Sequence, residues 1–337
     1  MITHELKKIV EAYEKKALRS NIKAVLGTVV ALEGSSYRRP GVRMLLLEDG
    51  TMIGAVSGGC VEKEVYRQAL SVFKTDRPKV MTYDGRYRLG CEGILYILLE
   101  PFLPSLDVIS KFWSAISERK AFGINSYFKK EHGENRNYGS VLRIGNASLP
   151  LRKSYTIENG VEIFGQILPP CFQLVLCGAE HDAIQMCAMA SLMGWEVTVV
   201  VPPEEQKSQV DFPGANHFVN SDPESFELKS DDQTAVLLMT HSYVRDLRFL
   251  MALRDDQPAY FGILGPARRR EKLFHELLEK CPDTTLEFIE SVYGPAGLEL
   301  GAETPQEIAL SVLSEILSTI NRKTPVPLRE KSGKIHS

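Results

Sequence analysis

Three glycine-marked stretches carry the side chains best suited to chemistry. They are Gly34-Ser35-Ser36-Tyr37-Arg38-Arg39-Pro40-Gly41, Ser57-Gly58-Gly59-Cys60-Val61-Glu62 and Gly90-Cys91-Glu92-Gly93. Glycine lets backbone N–H groups approach a ligand closely or take a positive φ. Arg38, Arg39 and the nearby Arg43 offer planar forks of donors that suit a phosphate. A cysteine thiolate is a soft ligand for metal or sulfur, and Cys60 directly precedes a helical run, where a thiolate is stabilised. Arg38, Arg39, Arg43, Ser57, Gly58, Gly59, Cys60 and Cys91 therefore read as a site for a small anionic molecule with soft-ligand chemistry. Cys60 is the candidate metal ligand. The alternative for each of these two cysteines, a small buried residue in a tight turn, stays open.

A second set lies in the other half. Leu176-Cys177-Gly178-Ala179-Glu180-His181-Asp182-Ala183 occupies the strand–turn–helix position of a dinucleotide fingerprint. Gly178 matches its first glycine and Ala183 its last small residue. Glu180 stands where a second glycine would admit pyrophosphate, and a carboxylate repels phosphate. The next strand ends Val200-Val201-Pro202-Pro203, with no acid for a ribose. The fold signal is thus present, while the chemistry argues against NAD(P). Thr240-His241 and Gly265-Pro266-Ala267-Arg268-Arg269-Arg270 also follow strands, the latter opening a helix whose N-terminus favours anions. Gly178, His241 and Arg268 are candidate cofactor contacts, with a helix cap (His241) and a solvated face (Arg268) as alternatives. Arg269 and Arg270 read as solvated. Cys177 and Cys187 read as core residues, and Cys171 and Cys281 lie near element ends.

The elements that must position these residues fall into two grammars. The first half is α+β. A helix with Leu6, Ile9, Val10 and Tyr13 on one side precedes strands at 23–32 and 43–47, then a hairpin at Asp49-Gly50 leading to 52–56. Val61, Val65, Ala69 and Phe73 keep helical spacing. Strands follow at 80–83 and 94–99, a helix over 105–120 and a strand at 122–128. Residues 129–137 read as a polar loop, and Asn159-Gly160 as a second hairpin joining 154–157 to 161–167. After Pro169-Pro170 strands and helices alternate, which predicts a Rossmann-like, doubly wound parallel sheet. Thr304-Pro305-Gln306-Glu307 predicts a capped last helix. The expected domains are 1–168 and 169–322, with a polar tail over 323–337.

The whole chain sets limits. Its 337 residues suit two domains, and a net charge of −3 gives no reason to expect nucleic acid. No apolar run approaches the roughly 20 residues that span a bilayer, and the N-terminus lacks the apolar stretch of a signal peptide. The six cysteines form no C-x-x-C pair and read as reduced thiols in the cytoplasm.

These residues carry a resemblance. The three glycine stretches, Pro169–Ala183, Thr240-His241, Gly265–Arg270 and Gly294–Ala309 together resemble the xanthine dehydrogenase accessory factors of the XdhC/CoxI type, most of all the Bacillus-type members, often named as a xanthine dehydrogenase subunit. The resemblance covers nearly the whole chain. It implies an accessory chaperone more than a catalyst: binding of molybdenum cofactor, protection while a terminal sulfur is installed, and insertion into apo xanthine dehydrogenase. The implied partners are that enzyme, a cysteine desulfurase-type sulfurase and a homodimer mate. Family members usually have glycine where Glu92 and Glu180 stand. Two other readings stay open: an NAD(P)-dependent oxidoreductase with His241 as acid/base, and a ligand-free scaffold for a partner enzyme.

Overall fold

The computed structural model describes residues 3–34, 39–57, 59, 61–85, 93–153, 155–157 and 160–331. The chain divides between Cys171 and Phe172 into two compact units.

The first unit opens with α1 (Thr3–Ala12), prolonged by a π-helical segment over Tyr13–Leu18. It continues with β1 (Ala24–Glu33), β2 (Arg43–Leu47), β3 (Met52–Gly54), α2 (Glu62–Thr75), β4 (Lys79–Asp84) and β5 (Ile94–Pro101). Then come α3 (Leu106–Ser117), β6 (Phe122–Phe128), β7 (Gly133–Glu134), β8 (Gly139–Ile144), β9 (Ala147–Pro150) and β10 (Glu162–Leu168). Two antiparallel sheets result, one in the order β3-β2-β1-β5-β4-β7 and one in the order β10-β6-β8-β9.

Both faces of the larger sheet are covered. Val25, Met44, Leu46 and Ile97 pack with Val65, Ala69 and Phe73 of α2. Leu26, Leu45 and Leu47 pack with Leu6 and Ile9 of α1, Phe112 of α3 and Ile124 of the smaller sheet. Double burial is why β1, β2 and β5 read as unbroken apolar runs rather than alternating ones.

Two expectations change here. The polar loop over 129–137 contains β7, which pairs with β4 through Val80↔Gly133 and Lys79↔Glu134. Of the expected hairpin partner of β10, residues 155–157 form no strand, Ser154 and Asn159 lie outside the described residues, and β10 pairs along its length with β6. A different hairpin, β8–β9, turns at Gly145-Asn146.

The second unit contains β11 (Gln173–Cys177), α4 (His181–Leu192), β12 (Glu196–Val201), β13 (His217–Asn220), β14 (Thr234–Leu238) and α5 (Tyr243–Leu253). They are followed by β15 (Tyr260–Ile263), α6 (Ala267–Lys280), α7 (Leu286–Ser291), β16 (Val292–Tyr293) and α8 (Pro305–Ile320). All six strands are parallel, in the order β13-β12-β11-β14-β15-β16. This is the Rossmann order, with its switch point between β11 and β14. Helices α4 and α8 cover one face and α5 and α6 the other. Thr304 and Glu307 form the expected capping box on α8. Strands β13 and β16 and helix α7 were not read from the sequence.

Candidate functional site

Strand register assembles the first candidate site. Glu33, the last residue of β1, lies opposite Ile94, the first of β5, which lies opposite Asp84, the last of β4. Gly54 ends β3 opposite Met44, next to the start of β2. The segments 34–42, 55–61 and 85–93 therefore all leave the same end of the larger sheet. Gly85 N–H donates to Gly93 O at 3.0 Å and closes the third segment at its base. Helix α2 starts at this end, so its N-terminal dipole faces the same region.

A local lock holds the middle segment. Glu62 is the first residue of α2 and only 7% exposed. Its carboxylate accepts the Ser57 N–H at 2.7 Å and the Ser57 hydroxyl at 2.8 Å. The Ser57 oxygen in turn accepts the Gly59 and Val61 N–H groups at 3.2 and 3.3 Å. Burial pushes the Glu62 carboxyl upward, but hydrogen bonds from the Ser57 side chain and from backbone N–H groups outweigh it, and the net position is below the ordinary carboxylate value. Gly59 has φ +119, and among the described residues nothing lies within 4 Å of where a Cβ would sit, which suits close approach of a ligand to its backbone. Sequence reasoning gave Glu62 no role, although a signal for one is present: an acid in the first turn of a helix, five residues after a serine.

The sequence-derived residues separate clearly. Ser57, Gly59 and the exposed Arg39 stand on segments at the loop end. Arg38, Gly58, Cys60 and Cys91 lie outside the described residues. Arg43 is corrected: it is 0% exposed, the largest fully buried side chain. Its Nη1 donates to Gly41 O at 2.9 Å and to Gln166 Oε1 at 2.5 Å. Burial pulls its pKa down to about 10, countered in part by the charge of Glu100. Glu100 is itself 0% exposed and accepts the Ser140 N–H at 2.8 Å and the Ser140 hydroxyl at 2.5 Å. Arg43 ties the base of the 34–42 segment to β10 of the smaller sheet. A fork fully buried in the interior does not stand on the surface that a ligand would meet.

The second unit places Gly178 and the Thr240-His241 turn at the switch point. Gly178 has φ +145, and a Cβ there would stand 2.3 Å from Met239 O. Close packing of the β11 turn on the β14 turn, independent of any ligand, requires this glycine. We expect Gly178→Ala to destabilise the protein by about 2–3 kcal/mol, from overpacking plus an unfavourable φ. Thermal unfolding at the parental midpoint would refute that packing role.

The adjoining crevice holds about 80 Å³, lined by Glu180, Glu204, Glu205 and Asp222 with Arg245 and Arg248. Arg245 is paired with Glu204. Arg248 donates to Glu224 at 2.5 and 2.6 Å and to Asp222 at 3.3 Å. Carboxylates of the chain thus already occupy both arginine forks, and the volume is well below the roughly 300 Å³ of a small ligand pocket.

His241 is exposed, has φ 53, and sets Nε2 3.6 Å from Asp182 Oδ2 at the start of α4. The helix cap at that turn is Ser242, whose side chain accepts from Arg245 N. Arg268 is exposed in the first turn of α6, with no acceptor among the described residues. Its neighbours are not solvated: Arg269 donates to the buried Asp246 at 2.6 Å, and Arg270 to Gly294 O at 2.7 Å. Asp246 also accepts the Thr240 hydroxyl at 2.6 Å, so Arg269 braces the turn that carries His241. Cys171, Cys177, Cys187 and Cys281 are all buried and take part in no disulfide among the described residues. Burial pushes the Cys187 thiol up to about 11 and Cys177 higher still, which makes them inert. Among the described residues no cluster of three His, Cys, Asp or Glu could hold a metal ion, and no helix is long and apolar enough to cross a membrane.

Comparison with known proteins agrees with this architecture. Over 324 residues the chain is 28% identical to a probable xanthine dehydrogenase subunit of Bacillus subtilis, covering 90% of this chain and 96% of the other. Over 312 residues it is 28% identical to the molybdenum cofactor insertion chaperone PaoD of Escherichia coli, covering 90% and 85%. The crystal structure of a xanthine dehydrogenase from Bacillus halodurans shares the fold, with a TM-score of 0.76 over 96% of this chain and 97% of the other, at 24% identity. The XdhC Rossmann domain matches residues 174–316, and the XdhC and CoxI family matches residues 17–84. The chain thus carries an XdhC and CoxI family domain in its first unit and an XdhC Rossmann domain in its second.

Proposed function

We propose that the chain binds molybdenum cofactor as cargo at the loop end of its larger sheet and inserts it into an apo enzyme of the xanthine dehydrogenase type. The observation that carries this reading is the convergence of three glycine-marked segments on one end of a sheet, beside the N-terminus of α2. The likeness to a relative named as a molybdenum cofactor insertion chaperone supports it. The cargo is a pterin with a phosphate monoester and a dithiolene-bound metal. Arg39 suits the phosphate, with Arg38 beside it in sequence. The open backbone at Gly59 suits close approach of the pterin. Cys60 suits the metal or its terminal sulfur, and Cys91 lies on the third segment. Glu62 and Arg43 are positioning residues that hold two of the segments in place.

Arg268 and His241 are the contacts that the second unit offers to an anionic ligand. A cysteine desulfurase-type sulfurase, a homodimer mate and the apo enzyme are the proposed partners, met in the cytoplasm.

The test is direct. The chain is purified from a host that makes molybdenum cofactor, its bound pterin is oxidised to a fluorescent derivative, and molybdenum is counted by mass spectrometry. We expect both to co-elute with the protein and the loaded chain to activate apo enzyme. Absence of both pterin and activation would end the proposal. A parallel calorimetric titration with NADH is expected to show affinity weaker than about 1 mM, because the switch-point crevice is small and carboxylate-lined. Micromolar affinity would favour the oxidoreductase reading.

A further inference from the structure

A cavity lies at the opposite end of the larger sheet from the glycine segments. It holds about 600 Å³, within the range of a small-molecule site. It opens beside Lys23 and Ala24 at the start of β1, whereas the glycine segments leave beyond Glu33. Ten strand residues at about 3.3 Å each put the two ends roughly 30 Å apart.

Five cations line this cavity: Lys23, Arg77, Arg136, Arg152 and Lys153. Among the described residues Asp76 is its one carboxylate, and Lys23 already engages it at 3.1 Å. Arg77, Arg136 and Lys153 are exposed and have no side-chain acceptor among the described residues. Arg152 is half-buried and fixed: it donates to the carbonyls of Arg136 and Tyr138 at 3.0 and 3.3 Å and stacks over Tyr155 at 5.2 Å. Its Nε–H is buried without a partner among the described residues.

A chain of net charge −3 thus gathers five cations around one cavity from four separate segments. Their mutual repulsion is unfavourable unless an anion offsets it. Ile22 and the half-exposed Leu103 add an apolar side wall.

We propose that this cavity is a second ligand site, distinct from the glycine-segment end, for an oligophosphate, either free or carried by a nucleotide. Arginine forks and lysine point charges match clustered phosphate oxygens. None of the residues lining this cavity is assigned to the cofactor cargo.

The test is calorimetric titration of the full chain with tripolyphosphate and, separately, with ATP. Binding of either at low salt is expected, weakened roughly tenfold when salt rises from about 50 to about 500 mM. The double variant Arg77→Ala/Arg136→Ala should weaken it about tenfold or more, while Lys272→Ala on α6 leaves it unchanged. Both replaced arginines are exposed, and circular dichroism and unfolding temperature confirm that each variant folds. Tighter binding of ATP assigns the Ile22–Leu103 wall to the nucleoside, and equal affinities assign the site to the phosphates alone; either supports the proposal. No binding of either ligand overturns it, as does parental affinity in the double variant or an equal loss in Lys272→Ala. Cofactor retention should be unchanged in the double variant, so this proposal and the cargo reading fail independently.

Discussion

Arg43→Ala should lower the stability of the protein by about 3–5 kcal/mol, the range for breaking a buried charge pair by removing one partner. The guanidinium is fully buried, donates to Gly41 O and Gln166 Oε1, and faces the charge of the fully buried Glu100. Alanine leaves Glu100 with less compensation and opens a cavity between the two sheets. Burial already raises the Glu100 carboxyl, against the Ser140 hydroxyl and N–H, Arg152 and Arg43, so loss of Arg43 raises it further. Chemical denaturation measures the loss. Adding Glu100→Gln to Arg43→Ala should recover part of it, because the uncompensated charge is then gone. Arg43→Lys should remain impaired, since a point charge cannot replace a planar fork. Wild-type stability combined with lost cofactor binding in Arg43→Ala would return this residue to the ligand surface.

Cys60→Ala should reduce retention or transfer of molybdenum cofactor about tenfold or more while leaving the unfolding transition in place. In the sequence the thiol follows Gly58-Gly59 and precedes Val61, which caps α2. A thiolate there gains from the helix dipole and is a soft donor to molybdenum or to its sulfur. Ser57, Gly59, Val61 and Glu62 make the lock, so the segment should keep its anchor in the variant. Pterin fluorescence and molybdenum content report retention, and activation of apo enzyme reports transfer. A folded variant equal to the parent in all three would remove Cys60 from the site. Cys187→Ala is the matching control: that thiol is buried in the second unit, so the variant should keep its cofactor.

Sequence alone determined the elements whose burial is written locally. The runs at β1, β2 and β5 are apolar throughout because both faces of the sheet are covered, and such runs read as strands without knowledge of partners. Asp49-Gly50 marked its hairpin, and Thr304 with Glu307 marked the start of α8, because turns and caps are satisfied within a few residues. The β-α-β alternation after Pro169-Pro170 was enough to expect the parallel sheet. The glycine segments were legible as candidates for the same reason.

Tertiary structure decided whatever depends on distant partners. Strand β10 pairs with β6 rather than with its sequence neighbour, and the edge strands β13 and β16 are too short to show a pattern. Arg43 looked like its neighbours Arg38 and Arg39, yet it is fully buried and its Nη1 donates to Gln166, 123 residues away. Gly178 looked like a phosphate-binding glycine, but the Met239 carbonyl accounts for it. Arg269 looked solvated until Asp246 and Thr240 were placed beneath it. The five cations of the far cavity come from segments between residues 23 and 153, and no local window contains them together. Propensity, capping and turn chemistry act over a few residues, whereas the environment of a charge is set by the chain folded around it.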